Sequence, residues 1–265
     1  MDEGAIAEVL EHLDRYDPGG VLGVYLYGSA VAGGLRPGSD IDLLVVTRRS
    51  LDAEERADLV AVLLEISGWG GHGAHHPTAT RRRPVELTSV VAEDVDPWRD
   101  PPREDLQFGE WLRDELSSGR PAPVREDPDL VVLAATALQA HQVLRGPALR
   151  ELIAPLRPGQ LETAMVGCLP GLLADLHGDE RNVLLTLARI LVTLETGRIV
   201  PKDRAAHSVA SRLPPAEAEL LEEARRAYLD GNAGRLGHRR DAVAALAERL
   251  ARTARTTARG TAEEA

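Results

Sequence analysis

At 265 residues the chain exceeds what one small core comfortably organises, so two domains or one large one are expected. With 43% hydrophobic and 28% charged residues it reads as globular, and its formal net charge of -11 excludes a broad nucleic-acid surface, which would need Lys and Arg to neutralise phosphates. Surplus carboxylates suit a cationic ligand, although charge taken alone reads better as a solubility device.

The single cysteine, Cys168, excludes an internal disulfide and a cysteine zinc site; it reads as a buried small residue in a reducing cytoplasm. The N-terminal MDEGAIAEVLEHLDRYD has no basic region ahead of an apolar run, so no secretion signal is expected. No apolar run reaches the ~18 residues of a membrane span, which argues against a membrane partner.

In chain order, GAIAEVLEHLDRY has helical spacing and stops before Asp17, Pro18 and two glycines. VLGVYLYG and SDIDLLVVT read as strands, with room between them for a short helix starting at Ser29. Residues 51–67 are amphipathic, with Asp52 as N-cap and Glu55 at the capping-box position. GWGGHGAHHPTATRRR is a loop whose His72, His75 and His76 are read as solvated, since no carboxylate or cysteine accompanies them at ligand spacing. PVELTSVV is a third strand with Glu86 and Thr88 on one face. Trp98, beside prolines, reads as packing. Beyond it, residues 104–119, 128–145, 159–176, 180–197, 202–212, 215–230 and 235–257 read as helices with no strand between them. The expected organisation is an α/β domain over 1–125, an all-α helical bundle over 126–258 and a frayed tail over 259–265.

The chemistry concentrates in YGSAVAGGLRPGSDIDLLVV, residues 27–46. Asp40 and Asp42 alternate along a strand and so share a face, and two carboxylates at one spot repel unless water or a cation separates them. Such hard oxygen donors suit magnesium, and Glu86 could add a third carboxylate. Gly28 permits a tight turn, and Ser29 presents a hydroxyl beside the free N–H groups of a helix start, a setting that favours phosphate. No Gly-Lys-Ser/Thr follows, so this is not a P-loop. Asp-x-Asp alone is better explained by an edge strand with a solvated face.

Gly28-Ser29, a ten-residue connection, Asp40-Ile41-Asp42 and a later strand carboxylate together resemble the DNA polymerase beta-like nucleotidyltransferase superfamily. More narrowly, LYGSAVAGGLRPGSDIDLLVV, VELT, PWR, LQFGEWLR, DPDL, GDERNVLLTLARI, TGRIVPKD and EARRAYL are similar in order and spacing to the aminoglycoside adenylyltransferases that modify streptomycin or spectinomycin. That resemblance implies a nucleotidyltransferase domain with a mixed sheet flanked by helices, a helical-bundle domain, and ATP, magnesium (two ions) and drug between them. AMP passes to a drug hydroxyl and pyrophosphate leaves. It further implies that Asp40, Asp42 and Glu86 hold metal, with Glu86 also the general base. Ser29 and Ser39 hold phosphates, Asp129, Lys202 and Tyr228 contact the nucleotide, and Arg189 is a further phosphate candidate. Asp179 and Asp175 form an acidic wall for the drug. Trp111 serves either as core or as a platform for a drug or a base, and Asp179 also reads as a good N-cap.

The likeness departs at one position. Streptomycin-modifying members carry a tryptophan where this chain has Pro170, ahead of Asp175 and GDERN, so spectinomycin is favoured and streptomycin remains open. A monomer with ATP and a small-molecule drug as its partners is expected. Two other readings fit the motif: transfer to another small-molecule or protein hydroxyl, and a catalytically idle binding module.

Overall fold

A computed structural model describes residues 3–32, 39–68, 82–120, 123–232 and 236–264. The predicted elements of the first half form as expected. Helix α1 (Glu3–Tyr16) turns Ala5, Val9 and Leu13 inward and ends where Asp17, Gly19 and Gly20 take positive φ. Strand β1 (Val21–Tyr27) runs into the one-turn helix α2 (Ser29–Ala32), and β2 (Ile41–Thr47) precedes α3 (Ala53–Ile66). The Asp52 carboxylate accepts from the N–H groups of Glu54 and Glu55, while Glu55 accepts from the N–H of Asp52: the capping box written in the sequence. Strand β3 (Val85–Val91) follows, then α4 (Ala92–Val95). His72, His75 and His76 lie outside the described residues.

The stretch expected to be helical over 104–119 is instead β4 (Arg103–Glu104), β5 (Leu106–Phe108), a tight turn over Glu110–Leu112 and α5 (Arg113–Leu116). Leu106 and Phe108 are fully buried around a less buried Gln107, a period of two, and β5 pairs with β3 through Leu87↔Phe108. Pairing to an existing sheet edge overrides helix propensity over three residues. Next come β6 (Arg125–Glu126), paired with β4, then α6 (Asp129–Gln139) and β7 (Gln142–Arg145). Helix α6 stops short of the expected residue 145 because Gln142, Val143 and Arg145 pair with Leu26, Tyr25 and Val24 at the free edge of β1.

The result is a mixed five-stranded sheet in the order β5-β3-β2-β1-β7, with β2 and β3 parallel and the other pairs antiparallel. One face, carrying Val24, Leu26, Ile41, Leu43, Val45, Val85 and Leu87, packs on α1 and on Leu59, Leu63 and Ile66 of α3. The opposite face carries Tyr25, Tyr27, Asp42, Leu44, Glu86 and Thr88, because their register partners alternate with the core positions. Trp98 is packed, as read, with its indole N–H donating to the carbonyl of Ala154 at 2.9 Å.

Residue contacts divide the chain between Leu156 and Arg157 rather than at residue 126. The composition switch misplaces this boundary because α6 and β7 belong with the sheet, β7 as its edge strand. The second unit is helical as expected: α7 (Gln160–Ala174), α8 (Glu180–Thr196), α9 (Lys202–Ala210), α10 (Pro215–Leu229) and α11 (Arg240–Glu264). Val183, Leu184, Leu187, Ala188 and Leu191 of α8 are buried, as are Ala205 and Val209 of α9, Leu221 and Ala224 of α10, and Leu246 and Leu250 of α11. Residues 259–264, expected as a frayed tail, are the end of α11. Cys168, expected to be buried, is half-buried on α7. Among the described residues no helix is long and apolar enough to cross a membrane.

Candidate active site

The site begins where β1 ends. Gly28 takes φ +67, and a Cβ there would overlap the Asp42 carboxylate, so the absence of a side chain at Gly28 makes the space that Asp42 fills. Ser29 opens α2 directly after this turn. Asp42 pairs with Tyr27 on one side and with Glu86 on the other, which sets three side chains in a row across β1, β2 and β3. Adjacent strands lie about 4.8 Å apart, so the two carboxylates are neighbours.

Tyr27 reports how acidic this face is. Its phenol is held well above its ordinary 10.0, first by burial and then by the charges of Glu86, Asp42, Asp129 and Glu104. Asp129, expected in the helical domain, begins α6 and belongs to the first unit; its N–H donates to the Asp127 carboxylate at 2.8 Å. Glu104 is 1% exposed, and its Oε2 has no hydrogen-bond partner among the described residues. Burial, with Asp127 and Asp129 nearby, pushes its carboxyl up to about 8, against a lowering by Arg125. The Thr88 hydroxyl, on the same face as Glu86, is likewise buried without a partner among the described residues.

Asp40 stands one residue before β2 and Ser39 is buried beside it, its carbonyl accepting from Arg83 at 3.1 Å. Among the described residues no three His, Cys, Asp or Glu form a ready-made metal-holding group. The Asp42–Glu86 pair still fits magnesium, which is held by one or two carboxylates together with substrate phosphates rather than by an all-protein cage. Trp111, in the turn after β5, is 59% exposed, which rules out the core alternative; its ring lies against Gly109, where a Cβ would overlap it.

In the second unit, Asp179 stands at the N-cap position of α8, yet its side chain caps no backbone N–H. It accepts instead from Asn182 Nδ2 at 3.0 Å, and Asn182 Oδ1 accepts from Lys202 Nζ at 2.5 Å. Asn182 thus ties the acidic candidate to the cationic one. Arg189 and Tyr228 lie half-buried on α8 and α10, and Asp175 is exposed at the end of α7, which also carries the exposed Pro170. Sequence reasoning missed Tyr27, Glu104 and Asn182. Tyr27 precedes Gly28 directly, and Asn182 lies three residues after Asp179, a spacing that places side chains on one helical face.

Two neighbouring strands align Asp42 with Glu86 beside a glycine turn into a short helix, and residues 6–70 match the nucleotidyltransferase domain family, which makes the first unit a nucleotidyltransferase domain. Residues 151–253 match the family described as aminoglycoside adenylyltransferase, C-terminal domain. The chain is 42% identical over 224 residues to the spectinomycin 9-adenylyltransferase of Campylobacter jejuni, covering 84% of each. It is also 42% identical over 241 residues to the aminoglycoside (3'') (9) adenylyltransferase of Escherichia coli, covering 89% of this chain and 88% of the relative. A crystal structure of the spectinomycin adenyltransferase AAD(9) from Enterococcus faecialis, with ATP and spectinomycin, superposes with a TM-score of 0.87 at 27% identity and covers 96% of this chain and 100% of its own. The chain belongs to the aminoglycoside adenylyltransferases, and it is an enzyme of that class.

Proposed function

We propose that this adenylyltransferase moves AMP from ATP to a hydroxyl of spectinomycin, and more slowly to one of streptomycin, releasing pyrophosphate. The observation that carries the reading is the in-register pair of Asp42 and Glu86 beside the Gly28 turn. Glu86 takes the proton of the drug hydroxyl as general base while that oxygen bonds to the α-phosphorus and the bond to pyrophosphate breaks. Asp42 and Glu86 would hold magnesium together with substrate phosphates, with Asp40, one residue before β2, as a further carboxylate, and the bound ion would offset phosphate charge and polarise the reacting oxygens. Ser29 and Ser39 hold phosphates, as does the Arg189 guanidinium. Asp129 and Tyr228 contact the nucleotide, and Lys202 offsets the charge of the leaving pyrophosphate.

Drug recognition falls to Trp111, Asp175 and Asp179, carboxylates and an aromatic face that suit a cationic ring system. Preference for spectinomycin rests on Pro170. The enzyme works as a monomer in the cytoplasm, without nucleic acid as a partner.

Pyrophosphate release from ATP, measured with spectinomycin, streptomycin and a panel of other hydroxylated acceptors, with and without magnesium, tests the reading. Magnesium-dependent release on adding spectinomycin is expected, with streptomycin about tenfold slower, the range a few pocket contacts supply. Equal turnover of both drugs overturns the preference, and release with neither overturns the function.

A further inference from the structure

Two residues outside the site just described link Trp111 to Glu86. Ser67, fully buried at the C-cap of α3, uses its hydroxyl twice: it accepts from the N–H of Val85, the residue before Glu86, at 3.0 Å, and donates to Oε1 of Glu110, the residue before Trp111. Glu110 is held by Arg113 through Nε at 2.6 Å and Nη2 at 2.8 Å, and Arg113 Nη1 donates to the carbonyl of Leu64 in the last turn of α3 at 3.2 Å. One polar cluster therefore joins the start of β3, the end of α3 and the turn that presents Trp111.

The cluster is inside the protein, the Arg113 and Glu110 side chains being 8% and 13% exposed. A buried ion pair is a poor source of stability compared with apolar packing, so its distinctive contribution is geometric: the paired groups accept only one arrangement of the segments they join. Trp111 gains from such a hold, since the residue is 59% exposed and its ring lies against Gly109. We propose that Ser67 and Glu110 are positioning residues for the drug, fixing the Trp111 ring relative to the Glu86 carboxylate. This rests on Trp111 being a drug contact.

Steady-state kinetics with spectinomycin and ATP varied in turn test it in Glu110→Gln, Ser67→Ala, Trp111→Ala and the double variant of Glu110→Gln with Trp111→Ala. Glu110→Gln and Ser67→Ala are each expected to raise the KM for spectinomycin about tenfold, the size typical of lost supporting-shell bonds, and to leave the KM for ATP within about twofold. The double variant is expected to be no worse than Trp111→Ala alone, because Glu110 acts through Trp111. A purely structural role would instead move both KM values and add to the effect of Trp111→Ala. If Glu110→Gln does not fold, Ser67→Ala decides. A raised spectinomycin KM in Trp111→Ala with an unchanged one in Ser67→Ala and in any folded Glu110→Gln overturns the positioning role. An unchanged spectinomycin KM in Trp111→Ala overturns Trp111 as a drug contact, and the proposal with it.

Discussion

The Asp42 carboxylate occupies the space that a side chain on Gly28 would need. Gly28 follows β1 and Asp42 lies on β2, so the turn that feeds the short helix and the strand that carries the acidic residue are built around each other. Replacing Gly28 with Ala would strain a backbone at φ +67 and displace the carboxylate together. Gly28→Ala should cost about 1–2 kcal/mol of stability and lower kcat about a hundredfold or more. Chemical denaturation and drug-dependent pyrophosphate release measure the two; unchanged turnover in the folded variant would show that Asp42 has no need of this position.

Glu86→Gln keeps the shape of the side chain beside Asp42 and removes its basicity. Transfer should fall by about a hundredfold or more, while calorimetric titration still detects ATP binding, since a general base contributes to the reaction rather than to holding the nucleotide. Turnover close to that of the parent would remove Glu86 as the base.

Glu104 makes stability depend on pH. Its carboxyl rises from an ordinary 4.5 to about 8 in the folded protein, so between these values the folded state keeps a proton that the unfolded chain releases. Stability therefore falls as pH rises through that window and levels off above it, a total on the order of 5 kcal/mol. Glu104→Gln has no such proton to hold. Its melting temperature should match the parent near pH 5 and exceed it by several degrees near pH 8.5; parallel curves would be incompatible with a buried proton at this position.

Asn182 holds Asp179 with its amide nitrogen and Lys202 with its amide oxygen. Asn182→Ala removes both bonds, and the KM values for ATP and for spectinomycin should each rise about five- to tenfold, the loss expected when charge-assisted hydrogen bonds that orient two groups are removed. A change in neither would mean that Asp179 and Lys202 are oriented by other groups.

Much of this was legible in the chain. The capping box of Asp52 and Glu55, the three long strands, and the five helices after Arg157 are local patterns, and each formed within a few residues of its predicted place apart from the late start and longer end of α11. The misreadings share one cause. Strands β4, β5, β6 and β7 are two to four residues long, too short for periodicity to distinguish, and they exist because β3, β1 and each other offer paired edges. The same edge pairing carried the first unit to Leu156, past the Pro-rich stretch that composition marked as its end.

The sequence by itself determined the order of helices and strands and the chemistry of residues 27–46, because a glycine turn and alternating aspartates are properties of adjacent residues. It could also name Glu86, since one strand's alternation suffices for that. Only the tertiary structure decided that Glu86 stands beside Asp42, that Tyr27 and Glu104 join them, and that Ser67 binds the segments before Glu86 and Trp111 together. These relationships depend on strand register and on bonds between distant residues, such as Ser67 and Glu110, 43 positions apart. Register and burial are settled by cooperative packing of distant segments, and no local pattern encodes them.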